Sequence, residues 1–230
     1  MGYFAEEAYY LERVEINNLP RLSRGQEFVS GSVVRGVRFE PRRKGVTRGA
    51  IWDWLKNPFI GTRELDGLKV LMVLLANYDT RLENNRVLHQ KHPNTGEMEA
   101  RYVVTDIGAT LGKVGGLGGK RIKNSLPEFQ ASKFIVGVEN SIVEFDYSTK
   151  PQGAGKFASL FSPGYGKSQA NKEKAMRHIP VQNARWIGQM LSRLSDEQLH
   201  DAFRAAGYEN ATRVGFVMAL RERINALAAL

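Results

Sequence analysis

The sequence contains no cysteine and only four histidines among its 230 residues. Without cysteine there can be no disulfides, thiolate metal sites or cysteine nucleophiles. The histidines at positions 89, 92, 178 and 200 do not show the spacing of a metal site. Long apolar runs are also missing, since the stretch 68–76 is far shorter than the roughly 20 residues of a membrane-spanning helix. We therefore expect no membrane span and a cytoplasmic protein.

Acidic residues are fewer than basic ones, 24 against 33, and the net charge is +9. A basic chain favours acidic partners such as nucleic acid, phosphorylated substrates or anionic membrane surfaces. One basic run lies close to Phe39 and Trp52, and it consists of Arg35, Arg38, Arg42, Arg43, Lys44 and Arg48. Cationic residues beside aromatic rings are compatible with nucleic-acid binding, but no helix-turn-helix, zinc-finger or RNA-recognition signature accompanies them. Nucleic-acid binding remains an alternative function.

The pattern of apolar residues predicts an α+β fold. Short strands are expected at 8–16 and 26–39, a nearly all-apolar helix at 63–76, hairpins at 86–104 and 133–147, and helices from about 168 onward. Thr62 is placed to cap the helix at 63–76. Ser195 and Gln198 form a capping box before a helix that Gly207 closes.

A polar loop, residues 77–88, follows the apolar helix and leads into the first hairpin. A hairpin brings its two ends together, so Asn84 or Asn85 before it and Asp106 after it should become neighbours. Asp79 lies at the start of the same loop. We therefore expect three oxygen-bearing side chains to converge at the end of a buried helix, and such oxygens suit Mg²⁺.

The order of these residues resembles the kinase-like superfamily, in its atypical HipA-type and phosphoinositide-kinase-like branches. Asp79 and Asn84 match the D-x-x-x-x-N pattern of the catalytic loop, and Asp106 and Gly108 match the D-x-G of the metal-binding segment. The residues before Asp79 are Asn and Tyr rather than His-Arg, which points away from conventional protein kinases.

The resemblance implies phosphotransfer with ATP and Mg²⁺ as cofactors. Asp79 would orient an acceptor hydroxyl and take its proton. Asn84 and Asp106 would hold Mg²⁺ against the nucleotide phosphates, and Gly108 would belong to the same cofactor-binding segment. The Gly-rich stretch 112–123 would correspond to the activation segment, and its phosphate-binding candidates are Lys113, Lys120, Arg121 and Lys123. The identity of the acceptor stays open.

The resemblance also implies two lobes, with residues 1–36 as a remnant of an N-terminal lobe and 37–230 as a helical C-terminal lobe. That first lobe normally supplies a Gly-rich turn and a strand lysine. Before residue 60 the only lysines are Lys44 and Lys56, and neither lies in an apolar strand pattern. We therefore expect weak or absent phosphotransfer from this chain alone. A non-catalytic interaction domain that self-associates through its apolar surface is a further alternative.

Overall fold

A computed structural model of the chain describes residues 3, 5, 8–41, 44–114, 121–147 and 173–230, with the backbone alone at 113, 114 and 121. The chain divides into two compact units. One consists of Gly45–Leu194 and Met218–Leu230, and the other of Gly2–Lys44 and Ser195–Val217. The candidate site residues all lie in the first unit.

The described part of the chain contains five α-helices and eleven strands. The helices are α1 (Arg63–Leu74), α2 (Leu126–Ala131), α3 (Val181–Leu191), α4 (Asp196–Ala205) and α5 (Asn210–Ala228). The strands are β1 (Tyr9–Glu15), β2 (Val29–Ser30), β3 (Val33–Phe39), β4 (Thr47–Arg48), β5 (Asn85–Lys91), β6 (Met98–Val104), β7 (Lys113–Val114), β8 (Arg121–Ile122), β9 (Ile135–Glu139), β10 (Ile142–Phe145) and β11 (Ile179–Pro180). Short 3₁₀ turns occupy Gln26–Phe28 and Leu82–Asn84.

Every strand pair in the described residues is antiparallel. Three sheets have the orders β1-β3-β2, β4-β5-β6 and β11-β10-β9, and β7 pairs with β8. Antiparallel sheets combined with a helical C-terminal region make the fold α+β, as the sequence predicts. The expected hairpins are present as β5–β6 and β9–β10. Residues 168–172 of the predicted helical region lie outside the described residues, and the lobe boundary at residue 36 stays a prediction.

Helix α1 begins and ends with sequence-specific caps. The Thr62 hydroxyl accepts the backbone N–H of Leu65 at 3.2 Å, which satisfies one of the free donors in the first turn. At the other end Ala76 adopts a left-handed conformation with φ +51°. The backbone N–H of Asn77 then donates to the carbonyl of Met72 at 2.8 Å, which closes the helix. The chain therefore leaves the core at Asn77, where the polar loop begins.

The core of the first unit brings α1, α3 and the end of α5 together. Val70, Ile187 and Leu227 are fully buried in it. Gly188 allows the closest approach, because a Cβ atom at this position would lie only 2.6 Å from the Cβ of Leu227. No larger side chain fits there unless the helices move apart.

Three charged side chains are buried in this core with their partners. Asp66 and Lys69, both on α1, form an ion pair of 3.1 Å, and Asn183 on α3 donates to the other oxygen of Asp66 at 2.8 Å. Arg223 on α5 donates to the carbonyls of Leu74 and Phe129 at 3.0 and 2.8 Å. Burial lowers the pKa of Arg223 to about 10, so its side chain is still charged at neutral pH.

The second unit contains the β1-β3-β2 sheet, α4 and the first turns of α5. The predicted capping box is present, since Ser195 accepts the N–H of Gln198 and the Gln198 side chain accepts the N–H of Ser195. Gly207, with φ +81°, ends α4, and the ring of Tyr10 occupies the space where a Cβ atom would lie. Among the described residues, no helix is both long and apolar enough to cross a membrane.

Candidate functional site

The polar loop between α1 and β5 starts from a fully buried asparagine. Asn77 has no exposed surface, and its Oδ1 accepts the backbone N–H of Asp79 at 3.0 Å. Such an Asx-type turn fixes the backbone two residues ahead. The side chain of Asn77 therefore sets the path by which the loop reaches Asp79.

The β5–β6 hairpin closes as the sequence predicts and brings the two halves of the site together. Asn85 at the start of β5 pairs with Val104 at the end of β6. Beyond that pair, Thr105 donates its backbone N–H and its hydroxyl to the carbonyl of Asn84, at 2.7 and 3.0 Å. Asp106 therefore comes directly after Thr105, which is hydrogen-bonded to Asn84.

A second pair of hydrogen bonds ties the start of the loop to the residues after Asp106. The backbone N–H of Tyr78 donates to the carbonyl of Ala109 at 3.3 Å, and that of Leu111 donates to the carbonyl of Leu75 at 2.8 Å. Segments 77–84 and 105–111 are therefore joined at both ends. Asp79 lies on one segment between these ties, and Asp106 lies on the other.

The carboxylate of Asp79 is held by an arginine of its own loop. The Nε atom of Arg81 lies 2.6 Å from Oδ1 of Asp79, and its Nη2 donates to Oδ2 at 2.8 Å. One hydrogen bond to Oδ2 and a close ion-pair contact to Oδ1 thus hold the carboxylate against the guanidinium. The Asp79 side chain is 13% exposed and that of Arg81 is 49% exposed, so solvent reaches mainly the guanidinium.

Acidic residues on both segments affect the pKa of Arg81. The hydrogen bond that Arg81 donates to Asp79 raises the pKa of Arg81 above its ordinary value, and the charges of Asp79, Glu83 and Asp106 raise it further. A charge acts appreciably only at short range in water. Acidic residues of both segments therefore favour the charged form of Arg81.

Asn84 and Asp106 each carry one oxygen that accepts no hydrogen bond within the described part of the chain. The Nδ2 of Asn84 donates to the carbonyl of Asp79 at 2.8 Å, which fixes the amide and leaves its Oδ1 for another partner. Oδ1 of Asp106 accepts the N–H of Gly108 at 2.9 Å, which leaves its Oδ2. Asn84 is buried and Asp106 is exposed, so one of these two oxygens belongs to a buried residue and the other to a residue in contact with solvent.

This oxygen pair fits Mg²⁺ only in part. Mg²⁺ takes six oxygen ligands and usually binds through one or two protein groups together with waters and substrate phosphates. The described residues contain no group of three or more His, Cys, Asp or Glu that could hold a metal ion. A metal ion held by Asn84 and Asp106 would need most of its oxygen ligands from water or from a bound ligand.

The other predicted phosphate-binding residues are described only in part. Lys120 lies outside the described residues, and the side chains of Lys113 and Arg121, on β7 and β8, are not described. Lys123 is exposed, and the residue after it, Asn124, donates its N–H to the carbonyl of Thr110 at 2.9 Å. A phosphate contact by any of them stays a prediction.

Sequence reasoning missed the side chains that anchor the loop from outside. Trp54 donates its indole N–H to the carbonyl of Thr80 at 3.2 Å. The hydroxyl of Tyr147 donates to the carbonyl of Asn77 at 2.8 Å and lies 2.8 Å from the hydroxyl of Thr80. Arg81 was missed as well. No motif spacing indicates these contacts, since Trp54 and Tyr147 come from distant parts of the chain.

Comparison with known proteins adds no relative: no family model, curated protein or solved structure matches this chain.

Proposed function

We propose that the site formed by Asp79, Asn84 and Asp106 binds a nucleotide together with Mg²⁺. In this proposal the chain is a phosphotransferase of the atypical kinase-like type, acting on a hydroxyl acceptor. The observation that carries the proposal is the pair of ties that joins segments 77–84 and 105–111. Those ties join the segments that carry two carboxylates and one carboxamide, in the order of the kinase-like pattern, and the charges of Asp79 and Asp106 both act on Arg81.

Asp79 is the residue that would position the acceptor hydroxyl and accept its proton. Its carboxylate is largely shielded and oriented, as a general base must be. Both of its oxygens contact Arg81, so accepting a hydroxyl requires one of these contacts to be exchanged. Because the side chain of Arg81 is half exposed, water can replace Asp79 as the partner of its guanidinium when that contact is given up.

Asn84 and Asp106 are the residues that would hold the metal. The amide of Asn84 is fixed by its bond to the Asp79 carbonyl, so a shift of the loop would move both residues together. Gly108 fixes the Asp106 carboxylate through its N–H. When bound, the metal would neutralise the phosphate charge that develops during transfer.

The guanidinium of Arg81 supplies positive charge at the place where an anionic group would enter. Its Nη1 atom contacts no acceptor in the described residues, and the side chain is half exposed. An arginine edge of this kind pairs well with phosphate oxygens. The charge of Arg81 therefore favours binding of an anionic ligand. The strand lysine expected of the N-terminal lobe has no counterpart in the sequence before residue 60. We therefore expect nucleotide binding to be easier to detect than turnover.

The direct test is the thermal stability of the purified chain with ATP, with Mg²⁺ and with both. ATP and Mg²⁺ together should raise the midpoint by about 2–4 °C, because a ligand that binds only the folded state stabilises it. Asp106→Asn should abolish the rise. Asp201→Asn is the matched control, since it removes the same charge from an exposed ion pair with Arg204. If ATP and Mg²⁺ still raise the midpoint of the Asp106→Asn variant, the nucleotide binds at another site.

A second variant separates binding from chemistry. Asp79→Asn should keep the ATP–Mg²⁺ stabilisation and lose whatever phosphotransfer the wild type shows. If single-stranded DNA or RNA binds tightly with a steep salt dependence while ATP and Mg²⁺ have no effect, the chain is a nucleic-acid-binding protein instead.

A further inference from the structure

One hydroxyl group links the residues on both sides of Tyr78 and Asp79. Tyr147, just after β10, donates its hydroxyl proton to the carbonyl of Asn77 at 2.8 Å. A phenol has a single proton. The 2.8 Å contact with the Thr80 hydroxyl must therefore have Thr80 as the donor.

We propose that Tyr147 is a positioning residue of the candidate site, acting on Asp79 and Asn84 through the backbone of the loop. The inference rests on the proposed function, which gives the loop its ligand. Tyr147 itself contributes no group to the metal or to the nucleotide.

The environment of both partners makes the Tyr147 hydroxyl hard to replace. Asn77 is fully buried and Thr80 is 1% exposed. Water therefore cannot readily take over either hydrogen bond, and a buried carbonyl left without a donor is unfavourable. The backbone of the loop should move to satisfy the Asn77 carbonyl when the hydroxyl is removed.

Such a movement reaches the proposed metal ligands through contacts already described. Asp79 lies between the two residues that Tyr147 holds, and its carbonyl accepts the hydrogen bond that orients the Asn84 amide. A displaced Asp79 backbone therefore turns the Oδ1 of Asn84 away from its place. The pair between Asp79 and Arg81 does not compensate, because both residues belong to the moving loop.

Tyr147→Phe removes the hydroxyl and keeps the ring, so it isolates this effect. Tyr102→Phe is the matched control: its ring packs edge-on against Trp52 and Phe59, and its hydroxyl bonds to no residue in the described part of the chain. Both variants should unfold within about 3 °C of each other. Affinity for ATP with Mg²⁺, measured by calorimetry, should fall about tenfold in Tyr147→Phe, the loss equivalent to one hydrogen bond, and stay unchanged in Tyr102→Phe.

Amide hydrogen exchange supplies a readout without nucleotide. Exchange at residues 78–80 should be faster in Tyr147→Phe than in Tyr102→Phe. Thr80→Val serves as the second variant if Tyr147→Phe folds poorly, and it should weaken ATP–Mg²⁺ binding in the same direction.

The outcomes separate the two claims. A wild-type chain that does not bind ATP with Mg²⁺ overturns the proposed function, and the positioning role falls with it. A wild-type chain that binds, with Tyr147→Phe binding equally well, overturns the role of Tyr147 and leaves the proposed function standing.

Discussion

Arg81 holds both carboxylate oxygens of Asp79, at 2.6 Å through Nε and 2.8 Å through Nη2. The residue proposed as the base is thereby oriented by a neighbour only two positions away. Glu83 and Asp106 act on the same guanidinium. Three acidic side chains therefore act on one guanidinium. The relative affinity of the site for metal ions and for phosphate groups depends on this ratio of negative to positive charge.

Replacing Arg81 should shift this balance in opposite directions for the two ligands. Arg81→Gln leaves Asp79, Glu83 and Asp106 uncompensated. Mn²⁺ alone should then bind about threefold to tenfold more tightly and ATP about as much more weakly, as expected for an unscreened charge at a partly exposed site. Calorimetric titration with each ligand separately checks this. Arg81→Lys, which keeps the charge, is the control. A loss of affinity for both ligands would mean that Arg81 only maintains the fold.

Asn84 and Asn85 offer a matched pair for separating structure from binding. Both are buried, and each donates its Nδ2 to a backbone carbonyl: Asn84 to Asp79 at 2.8 Å and Asn85 to Trp52 at 3.1 Å. Changing either to Ala should lower the free energy of unfolding by about 1–2 kcal/mol, measured by urea denaturation. Only Asn84→Ala should abolish binding of ATP with Mg²⁺. Equal binding losses in both variants would make Asn84 a structural residue alone.

The backbone contact between Asn84 and Thr105, the residue before Asp106, could be predicted from sequence because it follows from chain connectivity. Two β-prone runs joined by a turn must bring their ends together, whatever the side chains around them do. The α+β class, the hairpins, and both caps of α4 followed from equally local patterns. The roles of these residues in binding stay predictions.

The supports of the site could not be predicted because they depend on tertiary placement. Tyr147 and Thr80 are 67 positions apart, and no periodicity relates them. The pair between Arg81 and Asp79 is local, but a separation of two residues permits a contact only in particular loop conformations. The buried position of Arg223 was missed for a different reason, since an isolated arginine in a terminal helix is usually exposed.

Arg223 should make one of the largest single-residue contributions to stability in the first unit. Arg223→Met removes the donors for the carbonyls of Leu74 and Phe129, together with a 2.7 Å bond to the Ser132 hydroxyl. We expect a loss of about 3 kcal/mol in the free energy of unfolding, because buried acceptors are left without partners. Arg221→Met on the same helix, where the guanidinium also contacts a backbone carbonyl but is less enclosed, should cost less.

The pH dependence of that loss follows from the lowered pKa. Burial lowers the pKa of Arg223 to about 10, so the folded and unfolded states bind different numbers of protons at this residue only above about pH 9, and only there does it make the free energy of unfolding depend on pH. Below that pH the arginine is charged in both states. The difference between wild type and Arg223→Met should therefore be constant from about pH 6 to pH 8 in urea titrations. A difference that changes steadily across this range would contradict the assignment.

The buried pair between Asp66 and Lys69 should depend on both partners. Lys69→Met leaves the Asp66 carboxylate buried with the Asn183 amide as its one side-chain donor among the described residues, and should cost about 3 kcal/mol of unfolding free energy. Adding Asp66→Asn removes the buried charge and keeps an oxygen for Asn183, so the double variant should be more stable than Lys69→Met alone. Additive losses in the two variants would show that the pair is not coupled.

The position of the bound metal distinguishes a shared metal–nucleotide site from every alternative. Mn²⁺ in place of Mg²⁺ broadens the NMR signals of nearby nuclei, so a titration with Mn²⁺ and ATP maps its position on the chain. If metal and nucleotide share this site, the amide signals of residues 79–84 and 105–108 should broaden first and together, and Asp106→Asn should remove the effect. Broadening that begins elsewhere, or that affects only one of the two segments, would contradict a shared metal–nucleotide site.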